Sequence, residues 1–365
     1  MRAYEIAGAL ALLAACGSTA PSSPSASASA SPSASGSASP SASASASGSA
    51  SPSASPYELH EWGVIDVPSN GSTEIAAGAG QPQRPMSVRK PVVYVHLLDG
   101  ASEVTFGLRV ALRTGTFVEH DPAGTIAGTT LEWPSIVARA AHCATSARYA
   151  RRAAPACSTI DGVCEVDELP RYDAPSSACL DVGGVQTGLL FYRGQAPSVP
   201  LPLAASRASD LSVTVTASAS LAGAPGGLIR LSTALSGPWP MGRIVVSRAP
   251  LPVSGGSVSL PVGTEAITRE QGMAELRTSL IALGLTDDEA SAFLAGWGGE
   301  LFGADVSARG TVGDLPVGPR HQDVLIYFLP AASVDAIAAL TATPTPRAIR
   351  RAFMVRIDLG AVTTA

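Results

Sequence analysis

Charge is scarce in this sequence: Asp, Glu, Lys and Arg together make up 15% of it, and aromatic residues 5%. Lysines are few and the formal net charge is -5, which argues against a nucleic-acid partner, because phosphate recognition needs a basic surface. Catalytic signatures are also missing. There is no His-Glu-x-x-His helix, no Cys-x-x-Cys pair, no Gly-x-Ser-x-Gly elbow and no Walker-type glycine loop, so the common hydrolase and nucleotide-binding readings have nothing to stand on. Histidine is limited to His60, His96, His120, His142 and His321. The apolar stretch from Ile6 to Ala15 falls well short of the ~20 residues needed to span a bilayer.

That short stretch follows Arg2 and ends in Leu13-Ala14-Ala15-Cys16, the length and position of a signal-peptide h-region with a small-residue cleavage box. The box resembles the lipobox of bacterial lipoproteins. The resemblance implies removal of residues 1–15, a diacylglyceryl thioether on Cys16 and acylation of the new amino terminus. Gly17 after the cysteine resembles the pattern sorted to the outer membrane. Glu5 departs from a purely basic n-region. Residues 17–56 are almost entirely Ser, Ala, Pro and Gly, which leaves nothing to bury, so the segment is expected to stay unfolded as a stalk. It would reach roughly 35 Å as a coil and on the order of 120 Å if extended.

Residues 57–365 then read as a single β-rich globular domain. Abundant Val, Leu, Ala, Pro and Gly suit many short strands joined by turns. Val104, Phe106, Leu108, Val110 and Leu112 alternate with small or polar residues, the pattern of a half-buried strand. A strand over 57–67 would put Tyr57, Leu59, Glu61, Ile65 and Val67 on one face. Strands are also expected at 91–98, 116–119, 125–133, 185–194, 211–217, 228–235, 243–247, 257–262, 323–329 and 353–359. Pro134 is read as the start of a helix over 135–151, and a short helix is expected over 333–340, permitting parallel pairing of the strands on either side. Thr268-x-x-Gln271 and Thr286-x-x-Glu289 are capping-box patterns. Ala290, Phe293, Leu294 and Trp297 recur at helical spacing, so a helical hairpin turning at Gly284 is expected. The fold class is β-rich α+β, an antiparallel β-sandwich with a C-terminal helical hairpin.

Several landmarks together resemble an uncharacterised family of exported bacterial proteins that open their domain with a His-Glu-Trp-Gly box. They are His60-Glu61-Trp62-Gly63, Lys90-Pro91-Val92 with Tyr94, Leu131 with Trp133-Pro134, Phe191-Tyr192-Arg193-Gly194 before Leu201-Pro202-Leu203, and Gly284-Leu285 through Glu289-Ala290 and Trp297 to Phe302-Gly303. The family usually continues Thr-Phe-Thr where Val64-Ile65-Asp66 stands here, and the segment 143–179 looks like a local insertion. The resemblance implies one domain and lends no chemistry.

The chemistry-bearing candidates are therefore few. His60, Glu61, His96 and His120 near strand ends can form a metal or acid–base cluster, although packing or solvated roles are favoured, and no metal or cofactor is expected. Glu61 and Arg193 each fall on the apolar register of a strand, and a buried charge survives only when paired, so they are expected to meet in a buried bridge or ligand site. Trp62, Tyr94 and Tyr192 would frame a small pocket beside them or pack as core aromatics. Cys143, Cys157, Cys164 and Cys179 remain once Cys16 is lipidated, and in an exported chain they read as two disulfides. An Asp161-Gly162 hairpin would set Cys157 and Cys164 diagonally, about 7 to 8 Å apart and out of easy reach. That disfavours Cys157 with Cys164. Of the two remaining pairings, Cys143 with Cys157 and Cys164 with Cys179 is preferred because each closes a loop of about 15 residues, the crossed pairing remaining open. The function expected is a lipid-anchored, stalked envelope protein that binds or scaffolds an envelope or extracellular ligand. A hydrolase centred on His60 and Glu61, or a purely structural envelope role, is the alternative.

Overall fold

The computed structural model describes residues 55–68, 74–75, 86–145, 165–233, 244–302 and 323–360. Cys16, stalk residues 17–54, the Asp161-Gly162 turn, Cys157, Cys164 and His321 lie outside them. The chain begins with β1 (Tyr57–Val67), β2 (Glu74–Ile75), β3 (Met86–Leu97), β4 (Glu103–Leu112), β5 (Thr116–Asp121), β6 (Thr125–Ala127) and β7 (Thr130–Arg139). A 3-10 helix at Glu165–Tyr172 precedes β8 (Cys179–Val182), β9 (Val185–Thr187), β10 (Leu190–Ala196), β11 (Leu203–Arg207), β12 (Val213–Ala217) and β13 (Leu228–Thr233). Then come β14 (Ile244–Ala249), β15 (Ser257–Leu260), β16 (Glu265–Ile267) and helices α1 (Arg269–Ala282) and α2 (Asp287–Phe302). The last elements are β17 (Asp323–Phe328), α3 (Ala331–Asp335), β18 (Ala338–Thr343) and β19 (Ile349–Asp358).

The protein is β-rich α+β. Nine strands form one sheet in the order β16-β14-β13-β17-β19-β1-β3-β10-β5, and two smaller sheets run β15-β12-β11-β2 and β18-β4-β7-β8-β9, with β6 beside β7. Alternating residues of the large sheet, such as Leu59, Ile65, Val93, Tyr192 and Val355, pack with Leu108, Trp133, Val213 and Val215 of the small sheets. The opposite face, including Trp62, Val64, Tyr94 and Phe191, packs with Leu276, Phe293 and Trp297 of the helical hairpin. The central sheet is thus covered on both sides. β1 sits inside it, parallel to β19 and antiparallel to β3.

Both helices start as their capping boxes predict. Thr268 and Gln271 exchange bonds of 2.8 and 3.2 Å, and Thr286 and Glu289 exchange bonds of 2.7 and 3.3 Å. Gly284, at φ +94, makes the left-handed turn between them, a conformation that costs a residue with a Cβ.

Four expectations fail for identifiable reasons. Residues 135–145, the described part of the expected 135–151 helix, are not helical: β7 continues to Arg139, because Pro134 sits in a bulge where the pairing with β4 shifts between Phe106 and Leu108, a place where a missing N–H is tolerated. The expected 333–340 helix stops at Asp335, and Ala338 and Leu340 bury themselves in β18 instead. Because β18 crosses to a small sheet before the chain returns, β17 and β19 pair antiparallel. Finally, Cys143 is bonded to Cys179, which rules out both the sequential pairing, with Cys143 to Cys157, and the crossed pairing, with Cys143 to Cys164. Strand pairing decides this, since β7 runs beside β8 with Arg139 opposite Cys179 and the Cys179 N–H donating to Ala141. Closing a separation of 36 residues is worth about 4 kcal/mol in the chain-entropy view.

Candidate functional site

The His-Glu-Trp-Gly box lies in the middle of the large sheet, and its residues alternate between two buried faces. Glu61 and Gly63 face the small sheets. A Cβ on Gly63 would come within 2.7 Å of the Phe353 ring, so glycine here is a packing requirement. His60 and Trp62 face the helices, where Trp62 donates to the Tyr94 hydroxyl at 3.3 Å and stacks edge-on against Tyr172 and Phe293. Tyr94 in turn donates to the Tyr172 carbonyl at 2.6 Å. Trp62, Tyr94 and Tyr192 are all fully buried and pack as core aromatics.

The alternation also separates Glu61 from Arg193. Glu61 accepts from Arg351 at 2.6 Å and from Tyr192 at 2.7 Å, whereas Arg193 donates to Glu119 at 3.0 Å and lies 3.7 Å from Glu165. Each is a buried charge with a partner, as burial demands. The expected pair fails because the sheet has two apolar faces: Tyr192 shares the Glu61 side, and Arg193, one residue on, points to the other. Burial pushes the Glu61 carboxyl up, against the opposing pull of Arg351 and Tyr192.

On the helix side, three residues distant in sequence converge. The register of β1 and β3 sets Glu58 opposite His96 and His60 opposite Tyr94, so His60 and His96 are diagonal neighbours with ring centroids 4.3 Å apart. The first turn of α2 lowers Glu289 between them. His60 Nδ1 lies 2.8 Å from Glu289 Oε2, and His96 Nε2 lies 2.7 Å from Glu289 Oε1. Oε2 also accepts the Thr286 backbone N–H at 2.7 Å, so the capping residue is simultaneously the meeting point of both imidazoles. Glu58 Oε1 stands 3.2 Å from His60 Nε2. Glu289 is wholly buried, His60 nearly so, and the His96 side chain keeps 13% of its surface exposed.

The electrostatics agree with this geometry. Burial alone would raise Glu289, but the hydrogen bonds and charges of His60 and His96 outweigh it and hold the carboxyl down at about 2. Burial lowers His60, yet Glu289 and Glu58 more than compensate, so its imidazole is raised. The arrangement favours an imidazolium facing a carboxylate, with a second imidazole on the other oxygen.

Of the residues expected to cluster, the structure brings together His60 and His96 and leaves out Glu61 and His120. Glu61 faces the other side of the sheet. His120 sits opposite Tyr192 on β5, and burial lowers its pKa. The capping-box pattern predicts Glu289 as a cap alone. A further signal was present, since Glu289, Phe293 and Trp297 are spaced four apart and share one helical stripe, which places a carboxylate on the buried face. Neither a scan against protein-family models nor a search of curated proteins finds a match for this chain. No helix among the described residues is long and apolar enough to cross a membrane.

Proposed function

We propose that the chain is a lipid-anchored, stalked envelope protein whose globular part is an extracytoplasmic binding module, with His60, His96 and Glu289 as its ligand site. The observation that carries the binding role is the convergence of two imidazoles and a carboxylate from β1, β3 and α2 with one side chain partly open to solvent. Other buried carboxylates of this fold are met by arginine, whereas Glu289 meets two imidazoles, which carry lone pairs that a guanidinium lacks. The anchor rests on the Leu13-Ala14-Ala15-Cys16 box, and the stalk on the uncharged Ser/Ala/Pro run that follows. A hydrolase centred here would use Glu289 in place of Glu61, which faces away.

Fractionation tests the reading. Cys16→Ser should move the full chain out of the membrane fraction and abolish labelling by palmitate, while His96→Ala should leave it anchored. A Cys16→Ser protein that remains membrane-bound and still incorporates palmitate would reject the anchor.

A further inference from the structure

We propose that His60, His96 and Glu289 bind one divalent transition-metal ion of the zinc type, with Glu58 orienting His60 from behind. The proposal deepens, and rests on, the reading of this cluster as the ligand site. One donor atom from each residue lies within 4.8 Å of the other two. Tetrahedral zinc with bonds of about 2.0 to 2.2 Å sets its ligand atoms about 3.3 Å apart. The N···O contacts of 2.8 and 2.7 Å go to different oxygens of Glu289, so binding through one oxygen needs a turn of the carboxylate and rotation of the rings to bring donors that lie within 4.8 Å of one another to that spacing. Two imidazoles and one carboxylate suit zinc and its first-row neighbours, and are a poor match for magnesium or calcium, which take oxygen donors.

The scaffold holds these donors firmly. His60 and His96 stand on neighbouring antiparallel strands, and Glu289 is tied to the helix start by its bond with Thr286. Glu58 Oε1 lies 3.2 Å from His60 Nε2 without being aligned as a hydrogen bond, and a small turn of the ring on metal binding would make it the carboxylate that commonly orients a ligating histidine through its other nitrogen. Three protein ligands leave one tetrahedral position for water or a ligand atom, the pattern of exchangeable rather than closed sites. The partly exposed edges of His96 and Glu58 mark the side from which an ion would arrive.

A metal site and a hydrogen-bonded clamp need different protonation of the two rings. Without metal, His60 Nδ1 and His96 Nε2 each direct a proton at Glu289. Metal binding needs both lone pairs. Each imidazole would then keep its remaining proton on the other ring nitrogen, which on His60 faces Glu58.

The test is calorimetric titration of the purified, chelator-treated full chain with zinc chloride, with cobalt(II) absorption as a second probe. The expected result is about one ion per chain, a cobalt spectrum of tetrahedral type, a loss of affinity of at least ~100-fold in His96→Ala, and a loss of ~10- to 100-fold in Glu58→Gln. Circular dichroism identifies any variant that fails to fold, and Glu58→Gln carries the test if His96→Ala does so. Absence of zinc uptake by the wild-type chain, or uptake unchanged in the folded variants, would overturn the metal site. Zinc failure with intact Cys16-dependent fractionation removes the metal alone. Zinc binding by a chain that is not membrane-anchored removes the envelope reading alone.

Discussion

The two ends of α2 dock on the same sheet face by opposite means. At the C-terminal end, Arg89 reaches Glu165 at 2.6 Å and Glu300 at 3.2 Å. Lys90, the sequence's one lysine, donates to Glu168 at 2.8 Å and to the Gly296 carbonyl at 2.9 Å. Both cations lie 4.8 Å from the centre of the Trp297 ring. At the N-terminal end, Glu289 meets two histidines. A guanidinium stays charged at any physiological pH, whereas imidazoles change charge near neutrality and also offer lone pairs. A purely mechanical clamp is best built from the first kind. A site that exchanges protons or binds an ion needs the second.

The largest expected effect comes from breaking the permanent cluster. Arg89→Met strips the wholly buried Glu165 of its nearest cation and should cost about 3 to 5 kcal/mol in denaturant unfolding, by the same amount at pH 6 and pH 8. A loss that varied strongly over that range would contradict the contrast. Glu289→Gln, at the other end, removes charge-assisted bonds to both imidazoles and should cost about 2 kcal/mol near pH 6. This loss should shrink above neutrality, and a loss that grew there would count against an ionised pair.

The pH profile of the wild-type chain, kept metal-free by a chelator, sharpens the same point. The folded His60 value lies above its ordinary 6.5, so the stabilisation it brings is complete below 6.5 and fades as pH rises through the raised value. Glu289 is lowered from 4.5 to about 2, so its contribution is complete above 4.5 and fades as acid approaches 2. The cluster, with Glu58 and His96 as its other facing groups, should therefore contribute most between about 4.5 and 6.5. Thermal unfolding against pH should show this window, flattened in Glu289→Gln. The same curve in both proteins would refute it.

The smallest expected effect is a null one. Glu61→Ala and Arg193→Ala act on opposite faces, so their costs should add within about 0.5 kcal/mol, whereas Glu61→Ala and Arg351→Ala should couple by roughly 1 kcal/mol or more. Strong coupling between Glu61 and Arg193 would restore a link that the geometry denies.

Local chemistry by itself determined a good part of this protein. The alternation of Val104 to Leu112 is a strand and the two capping boxes start helices, because side-chain periodicity and a cap's bond to a backbone three residues away are contained in a few neighbouring residues. The faces of β1 were legible for the same reason: the bulge opposite it falls at Lys90 and Pro91 on β3, leaving its own alternation unbroken. What only the tertiary structure decided is which charges meet. Glu289 is 229 residues from His60 and 193 from His96, and no pattern in any one segment carries a partner's identity over that distance. Glu61 and Arg193 looked like partners because each interrupts an apolar register, but a sheet buried on both faces has two such registers. The disulfide followed the same logic, since pairing β7 with β8 brought Cys143 to Cys179 past two cysteines nearer in sequence. Periodicity says that a side chain is buried; only the stacking of sheets and helices says against what.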